Sequence, residues 1–351
     1  MLPICTPSFH QRSAPQRDEQ NSYWQKQAYF YREILFRDSM RHQHRFTRLA
    51  FIALIGAGGI ALLISSGHFF RWKPVSVIYN DDKTQQPALR MQIYPARTEG
   101  SNHPAVLFFH GGGWITGSPD QFKWFAKRFA ACGIVAALVE YRVHSRHGTL
   151  PDRAVDDAST AYRWMQRNHA RFGVNPAHIA LVGGSAGAHV AAASTLSCAG
   201  SNDCTGQDTK PPFALGLLNP VLELTVANES QGYTKEELLL IDALGPSKAA
   251  ELSLGSKLAR ADIPKLVIYG SLDPLLPTAY QAVSSQVEGS RDSIQLLIAA
   301  GEKHGFFNNE PWRTIVGNAL MEFFHSQGAN LDCELETNDA TRLQKASDPG
   351  A

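Results

Sequence analysis

Residues 180–189 read Ala-Leu-Val-Gly-Gly-Ser-Ala-Gly-Ala-His, an apolar run that stops abruptly at the pentapeptide Gly-x-Ser-x-Gly. Small residues continue to Ala193, so the pattern predicts a strand, a tight turn and a helix, with Ser185 at the apex of the turn. Small neighbours are needed because larger side chains would collide with the strand and the helix around a strained serine. The pentapeptide alone is equally consistent with an ordinary glycine-rich turn, so the rest of the chain has to discriminate between the two.

Apolar runs alternate with helical stretches over most of the chain after residue 72. The runs 75–79 and 89–94 alternate apolar and polar residues and predict a leading antiparallel pair of strands. Further runs are continuously apolar, as in strands buried on both faces of a parallel sheet: 105–109, 134–139, 179–182, 214–218, 266–269 and 294–298. Helices are predicted between them: 121–131, 152–169, 186–196, 278–286 and 312–326. The repeated βα units predict a doubly wound, mostly parallel α/β sheet with ligands at the carboxyl ends of its strands.

The composition excludes several classes of protein. The chain has 351 residues, of which 44% are hydrophobic, and Lys+Arg 33 against Asp+Glu 32 gives a formal net charge of +1. This near-neutral chain carries no basic field and no nucleic-acid-binding motif, so no nucleic-acid partner is expected. The five cysteines include no Cys-x-x-Cys pair, and no metal site is predicted. Cys198 and Cys204 could form a disulfide in an oxidising compartment or remain two separate thiols.

The N-terminal part predicts an association with a membrane. Residues 1–48 are polar, aromatic and mildly basic, and they match no folded domain. Residues 49–70 contain no charged side chain apart from His68, and as a helix they would span roughly 33 Å, enough to cross a bilayer core. The long leader favours an uncleaved transmembrane anchor, whereas translation from Met40 would make the same stretch a cleaved signal sequence. Both alternatives predict that the remainder is extracytoplasmic, either anchored or secreted.

Two polar residues follow later apolar runs and complement Ser185. A serine hydroxyl is a weak nucleophile at neutral pH and needs a base, which in turn needs an orienting acid. Asp273 lies in the turn after the run 266–269, and His304 lies in the loop after the run 294–298. Because the carboxyl ends of parallel strands meet at one edge of a sheet, we predict a catalytic triad of Ser185, Asp273 and His304.

Other acids are less suitable partners for His304. Asp292 precedes its strand and is expected at the opposite end of the sheet. Glu302 is only two residues from the histidine and is badly placed to reach its Nδ1 atom. Asp273 therefore remains the predicted acid, although Asp-Pro is also a common turn pair.

The run His110-Gly-Gly-Gly-Trp114 directly follows the predicted strand 105–109. Acyl transfer passes through a tetrahedral oxyanion, which backbone N–H groups stabilise well. Glycines allow the main chain to approach the substrate, so we predict an oxyanion hole made by the amides of Gly111, Gly112 and Ala186. The alternative for this run is a flexible glycine turn.

Several side chains near these motifs are candidate pocket residues. Trp114 could shape an acyl pocket or cover the sheet edge, and Tyr141 could line the pocket or pack beneath it; both are predicted to bind substrate. His110 is expected to hold its loop by hydrogen bonds. His189, one turn into the predicted helix after Ser185, is expected to pack rather than to catalyse.

These motifs together resemble the α/β-hydrolase fold, and within it the hormone-sensitive-lipase-like and acetyl-esterase group of carboxylesterases. The resemblance rests on His110–Trp114, Gly183–Gly187, Leu272-Asp-Pro274 and Lys303-His-Gly305, and it extends over residues 75–326. It implies a serine esterase that acts on short acyl esters without a metal or cofactor. The chain departs from many members in having Gly184 before the serine, which is closer to the branch with carbohydrate-deacetylating and feruloyl-type esterases.

The predicted organisation is therefore an N-terminal segment 1–48, an anchor or signal sequence 49–70 and a catalytic domain 72–327. Within that domain 222–260 carries short amphipathic pieces and is a possible cap, and the polar tail 328–351 is expected to be disordered. The leading hypothesis is a membrane-anchored or secreted carboxylesterase for acetyl-type esters, with carbohydrate esters as one candidate substrate. The alternatives are an amide-cleaving hydrolase and, ranked lower, a non-catalytic interaction protein. The oligomeric state is not predicted.

Overall fold

The computed structural model describes residues 73–80, 88–196, 210–258, 261–277, 294–333 and 342–345. All of them belong to the second of two compact units, Trp72–Ala351, which begins where the catalytic domain was predicted to begin. Residues 1–70, with the predicted anchor 49–70, lie outside the described part, as do Cys198, Cys204 and the predicted helix 278–286. Among the helices that are described, none combines the length and the apolar character needed to span a membrane.

The described strands form one sheet with the order β1-β2-β4-β3-β5-β6-β7-β8-β9. Their bounds are Val75–Asn80 (β1), Leu89–Tyr94 (β2), His103–Phe109 (β3), Val135–Val139 (β4), Val174–Gly184 (β5), Leu215–Leu218 (β6), Lys265–Gly270 (β7), Ile294–Ala299 (β8) and Leu343–Lys345 (β9). β1 and β2 pair antiparallel at one edge, and β3 to β8 pair parallel in the centre. The predicted doubly wound, mostly parallel sheet is confirmed.

Helices connect the parallel strands. The described α-helices are Lys123–Ala131 (α1), His144–His147 (α2), Pro151–Asn168 (α3), Ala186–Leu196 (α4), Lys235–Leu244 (α5), Pro246–Leu252 (α6), Gly255–Leu258 (α7) and Trp312–Ser326 (α8). The four long predicted helices that fall on described residues form within two residues of their expected bounds. The small-residue helix α4 is buried along almost its whole length, which explains why its sequence carries no polar face.

Alternate residues of the central strands supply two separate cores. Leu107, Phe109 and Leu181 pack with side chains of α3 and α4, whereas Phe108 and Val182 pack with side chains of α1 and α8. Successive side chains of a strand point to opposite faces, so these two clusters lie on the two sides of the sheet. Burial on both faces accounts for the continuously apolar strand sequences.

The C-terminal tail corrects one expectation. Leu343–Lys345 forms β9, which pairs antiparallel with β8, and Cys333 is joined to Cys132 by a disulfide with Cα atoms 4.9 Å apart. The described tail residues are therefore ordered, although the polar composition of 328–351 predicted disorder. The reason is non-local: the disulfide and the open edge of β8 hold a segment that has few apolar residues of its own.

The segment 222–260 leaves the sheet between β6 and β7 and carries α5, α6 and α7. α5 begins with a capping box, in which the Thr234 hydroxyl accepts from the Glu237 amide and the Glu237 carboxylate accepts from the Thr234 amide. Its residues Leu240 and Ile241 are buried in the core that contains α3 and α4. The short amphipathic pieces of the sequence thus form helices here, and α5 contributes Glu236 and Glu237 to the cavity that contains Ser185.

Candidate active site

Ser185 lies between β5 and α4 with a φ of 55°, in the left-handed region that residues other than glycine rarely adopt. Its amide donates to the Leu218 carbonyl at 2.8 Å, which ties the turn to β6. The flanking residues must be glycines because other backbone atoms lie too close for a Cβ atom. A Cβ on Gly183 would lie 2.2 Å from the Gly187 carbonyl oxygen, and one on Gly187 would lie 2.2 Å from the His110 carbonyl oxygen.

The structure brings the three predicted polar residues together. His304 Nε2 lies 2.8 Å from Ser185 Oγ, and His304 Nδ1 lies 2.9 Å from Asp273 Oδ2. A carboxylate only accepts hydrogen bonds, so Nδ1 carries the proton and Nε2 is free to accept the serine hydroxyl. The three side chains follow β5, β7 and β8 at the carboxyl ends of strands of the same parallel sheet, as the sequence order predicts.

The Asp273 carboxylate is almost fully buried and is held by further donors. Its Oδ1 atom accepts from the Leu275 amide at 3.0 Å, and its Oδ2 atom accepts from the Asn219 side-chain amide. These bonds leave one carboxylate edge directed at His304. Sequence reasoning missed Asn219, although it is a polar residue directly after the apolar run 214–218, the same signal that identified Asp273.

The oxyanion loop, residues 110–114, differs from the expectation in one respect. The Gly111 amide donates to Gln121 Oε1 at 2.6 Å and is therefore occupied. The amides of Gly112 and Gly113 make no hydrogen bond with described residues, and both glycines line the same cavity as Ser185. The available donors of the loop are thus one residue further along than predicted, because Gln121 folds back onto the first glycine.

A family model described as the α/β hydrolase fold matches residues 106–308, more than half of the chain. The chain belongs to the α/β-hydrolase fold family.

Known relatives of this α/β hydrolase include esterases. A probable isoprenylcysteine α-carbonyl methylesterase of rice (Oryza sativa subsp. japonica) is 33% identical over 190 residues, 47% of this chain and 44% of the relative. Esterase LipC of Mycobacterium tuberculosis is 28% identical over 246 residues, 66% of this chain and 59% of the relative. The chain thus matches less than two thirds of the length of either relative.

Solved structures resemble the fold more completely. The propionate-bound esterase 2 of Thermogutta terrifontis superimposes with a TM-score of 0.63 at 27% identity, covering 74% of this chain and 96% of that protein. Its butyrate-bound form matches with the same TM-score. The resemblance to α/β-hydrolase carboxylesterases inferred from the sequence motifs is confirmed.

Trp114 and Tyr141 of this α/β hydrolase do not lie where they could contact a substrate, contrary to the prediction from the sequence. They are only 1% and 0% exposed, and neither lines the cavity. The Tyr141 hydroxyl donates to the His110 carbonyl at 2.5 Å, and its ring stacks on the His110 ring with centroids 4.2 Å apart. Trp114 packs edge-on against His189 at 5.2 Å. Tyr141 thus packs against the first residue of the oxyanion loop, and Trp114 holds the end of the loop in the core, so the expectation of substrate contact is corrected.

The two buried histidines beside the loop are neutral. Burial lowers the pKa of His110 and of His189 to about 4, because a charged imidazolium is disfavoured away from water. His110 Nδ1 lies 2.9 Å from the Gly111 carbonyl, and His189 Nε2 lies 3.0 Å from the Leu252 carbonyl, so each of these nitrogens donates. Their contacts are those of packed residues that hold the loop and α4.

The cavity in front of Ser185 measures about 550 Å³. Its apolar wall is formed by Ile115, Val221, Pro274, Leu275 and Phe307. The carboxylate side chains that line it are Glu236 and Glu237 of α5, and no lysine or arginine of the described residues does so. The described residues contain no group of three or more His, Cys, Asp or Glu arranged to hold a metal ion.

Proposed function

We propose that this α/β hydrolase is a serine carboxylesterase that cleaves short-chain acyl esters through an acyl-enzyme intermediate. The observation that carries the proposal is the continuous hydrogen-bonded chain from Asp273 through His304 to Ser185, in a cavity that the oxyanion-loop residues Gly112 and Gly113 also line. Esterase relatives and esterase structures of the same fold support the reaction class.

In the proposed reaction Ser185 attacks the ester carbonyl while His304 Nε2 takes its proton. Asp273 keeps the imidazole in the required tautomer and stabilises the imidazolium that forms. The amides of Gly112 and Gly113, with that of Ala186, bind the oxyanion. His304 then protonates the leaving alcohol and activates a water molecule, which hydrolyses the acyl-enzyme and restores the serine.

The proposed preference for short acyl groups rests on the size and the walls of the cavity. A volume of about 550 Å³ lies within the range for small-molecule sites, and the apolar wall of the cavity suits a small hydrocarbon chain. The Thermogutta esterase 2 binds propionate and butyrate in structures of the same fold. Acetylated carbohydrate is one candidate among such short-chain esters.

We further propose an extracytoplasmic location, either anchored through residues 49–70 or secreted. The Cys132–Cys333 disulfide supports it, because such bonds persist in oxidising compartments and are rare in reducing ones. Fractionation of expressing cells, with free thiols alkylated before lysis, tests this. Recovery of the chain in the cytosol with both cysteines alkylated would contradict the location without affecting the proposed chemistry.

The activity is tested with the full-length chain in detergent on p-nitrophenyl esters from acetate to dodecanoate, beside the Ser185→Ala variant. We expect fast hydrolysis of acetate and butyrate, a decline with longer chains, and loss of turnover in the variant. A folded protein that cleaves none of these esters would contradict the proposal, and cleavage of the matching p-nitroanilides instead would favour the amide-cleaving alternative. Release of acetate from acetylated xylan tests the carbohydrate substrate separately.

A further inference from the structure

Asn219 occupies an unusual position directly after β6. It is 0% exposed, its φ is 48°, and its backbone amide donates to the Ile268 carbonyl of β7 at 2.7 Å. Asparagine tolerates this left-handed conformation better than most residues other than glycine. The backbone requirement would be met by glycine as well, so the side chain needs its own explanation.

That side chain is directed at the acid of the proposed triad. Asn219 Nδ2 donates to Asp273 Oδ2, the same oxygen that lies 2.9 Å from His304 Nδ1. The opposite orientation of the amide would bring two acceptor oxygens together, so the donor assignment follows from charge. Asn219 Oδ1 makes no hydrogen bond with the described residues, a cost that a purely structural asparagine would have no reason to carry.

The adjacent residue contacts the nucleophile. The Leu218 carbonyl accepts the Ser185 amide at 2.8 Å, while Asn219 contacts Asp273. β6 lies between β5, which carries Ser185, and β7, which precedes Asp273. Leu218 and Asn219, at the end of β6, therefore hold both the turn that carries Ser185 and the carboxylate of Asp273.

We propose that Asn219 is a positioning residue for the reaction, acting through Asp273. Its amide fixes the rotation of the carboxylate, so that Oδ2 faces His304 Nδ1, and it partly offsets the negative charge that the carboxylate presents to the imidazole. The inference rests on the proposed hydrolytic function of the same site. Asn219, which lies outside the triad, would thus help to set the basicity and the orientation of the His304 imidazole.

Two substitutions separate this role from the backbone requirement. Asn219→Gly keeps the left-handed conformation without strain and removes the donor. Asn219→Asp keeps the conformation and the side-chain shape but adds a second carboxyl group beside Asp273, so that the network of residue 219, Asp273 and His304 binds one more proton near neutral pH. Thermal unfolding of both variants shows whether either has simply failed to fold.

The test measures kcat and KM for p-nitrophenyl acetate across pH in the wild type and both variants. We expect Asn219→Gly to lower kcat about tenfold with KM within about twofold. For Asn219→Asp we expect a loss of at least tenfold near pH 7 that partly recovers as pH rises, with the rising limb of kcat/KM moved up by about one pH unit. Variants with wild-type kinetics, or losses that follow unfolding with an unchanged pH profile, would overturn the proposal.

A second readout separates this inference from the esterase assignment. A fluorophosphonate probe reacts with an activated serine and does not require turnover of a carboxylic ester. We expect the labelling rate of Ser185 to fall in the two variants by factors similar to those in kcat, with the same pH shift for Asn219→Asp. If the wild type is labelled but cleaves no ester, the proposed function fails while Asn219 is still tested. Equal labelling rates in all three proteins would refute the positioning role.

Discussion

Gln121 shows how one side chain changes which backbone amides serve the site. Its Oε1 atom accepts the Gly111 amide at 2.6 Å, and its Nε2 atom donates to Asn308 Oδ1 at 3.0 Å. The bridge links the first glycine of the oxyanion loop to the segment that follows His304. It orders the loop while leaving Gly112 and Gly113 to face the cavity.

The Gln121→Glu variant tests this arrangement. The substituted carboxylate can still accept the Gly111 amide but brings negative charge next to the developing oxyanion. We expect kcat/KM for a neutral ester to fall about tenfold or more, because electrostatic stabilisation of the oxyanion is a large term in such reactions. Gln295→Glu, the same change at the exposed start of β8, serves as the control. Equal activity of both variants would show that Gln121 lies too far from the reacting oxygen to matter.

The buried His189 makes the stability of the folded chain depend on pH. Its pKa is lowered by burial from 6.5 to about 4, so the unfolded chain binds a proton at this residue that the folded chain does not. The contribution of this residue to the free energy of unfolding is therefore complete above about pH 6.5 and is lost as pH falls towards 4. The loss amounts to about 3 kcal/mol for this group.

A His189→Gln variant keeps an amide donor for the Leu252 carbonyl and removes the titration. We expect its free energy of unfolding to fall less steeply with acid than that of the wild type over this range, measured by urea denaturation. His144→Gln, which replaces an exposed histidine, provides the comparison. If the two variants show the same acid dependence, His189 is not the source of the effect.

At the scale of elements, α5 places charge at the mouth of the cavity. The capping box orients Glu237, and a Cβ on Gly113 would lie 2.3 Å from Glu237 Oε1, so the carboxylate rests against the oxyanion loop. Glu236 lines the same cavity. An acidic mouth disfavours anionic esters and favours neutral or cationic ones.

Glu237→Gln preserves the capping box, in which glutamine can replace glutamate. We expect the ratio of kcat/KM for a cationic ester to that for an anionic ester of similar size to fall about two- to fivefold, since the group is partly solvated. The matched control is Glu251→Gln on α6, whose carboxylate pairs with Lys248 away from the cavity. A ratio that changes equally in both variants would assign the effect to net charge alone.

At the scale of the whole molecule, the Cys132–Cys333 disulfide closes a loop with a sequence separation of 201 residues. It joins the end of α1 to the tail that continues towards β9, and the Asp332 amide donates to the Cys132 carbonyl at 3.0 Å beside it. Linking such distant residues restricts the unfolded chain, which stabilises the folded state by about 2–5 kcal/mol.

The double variant Cys132→Ser/Cys333→Ser is therefore expected to have a lower Tm, with kcat/KM unchanged at 25 °C because the bridge lies far from Ser185 in the fold. The wild type in reductant should reach the same lower Tm. Cys198→Ser/Cys204→Ser controls for an effect of reductant elsewhere in the chain. A reductant-sensitive Tm in the first variant would assign the sensitivity to another bridge.

The sequence by itself determined the parallel sheet, the helices between its strands and the positions of Ser185, Asp273 and His304. These features are local: apolar periodicity sets each strand, and each of the three residues lies in the turn or loop that follows one, where parallel topology brings strand ends together. The N-terminal anchor remains a prediction, because residues 49–70 lie outside the described part.

Only the tertiary structure decided that Gln121 binds the Gly111 amide of the oxyanion loop, that Trp114 and Tyr141 are buried, and that Asn219 contacts Asp273. It also decided that Cys132 pairs with Cys333 and that the polar tail supplies a strand. Each depends on contacts between residues distant in the chain, such as Gln121 folding back onto Gly111. The pattern of residues in a segment shows which side chains it can bury. Which atoms form a hydrogen bond or a disulfide depends on how distant segments pack together.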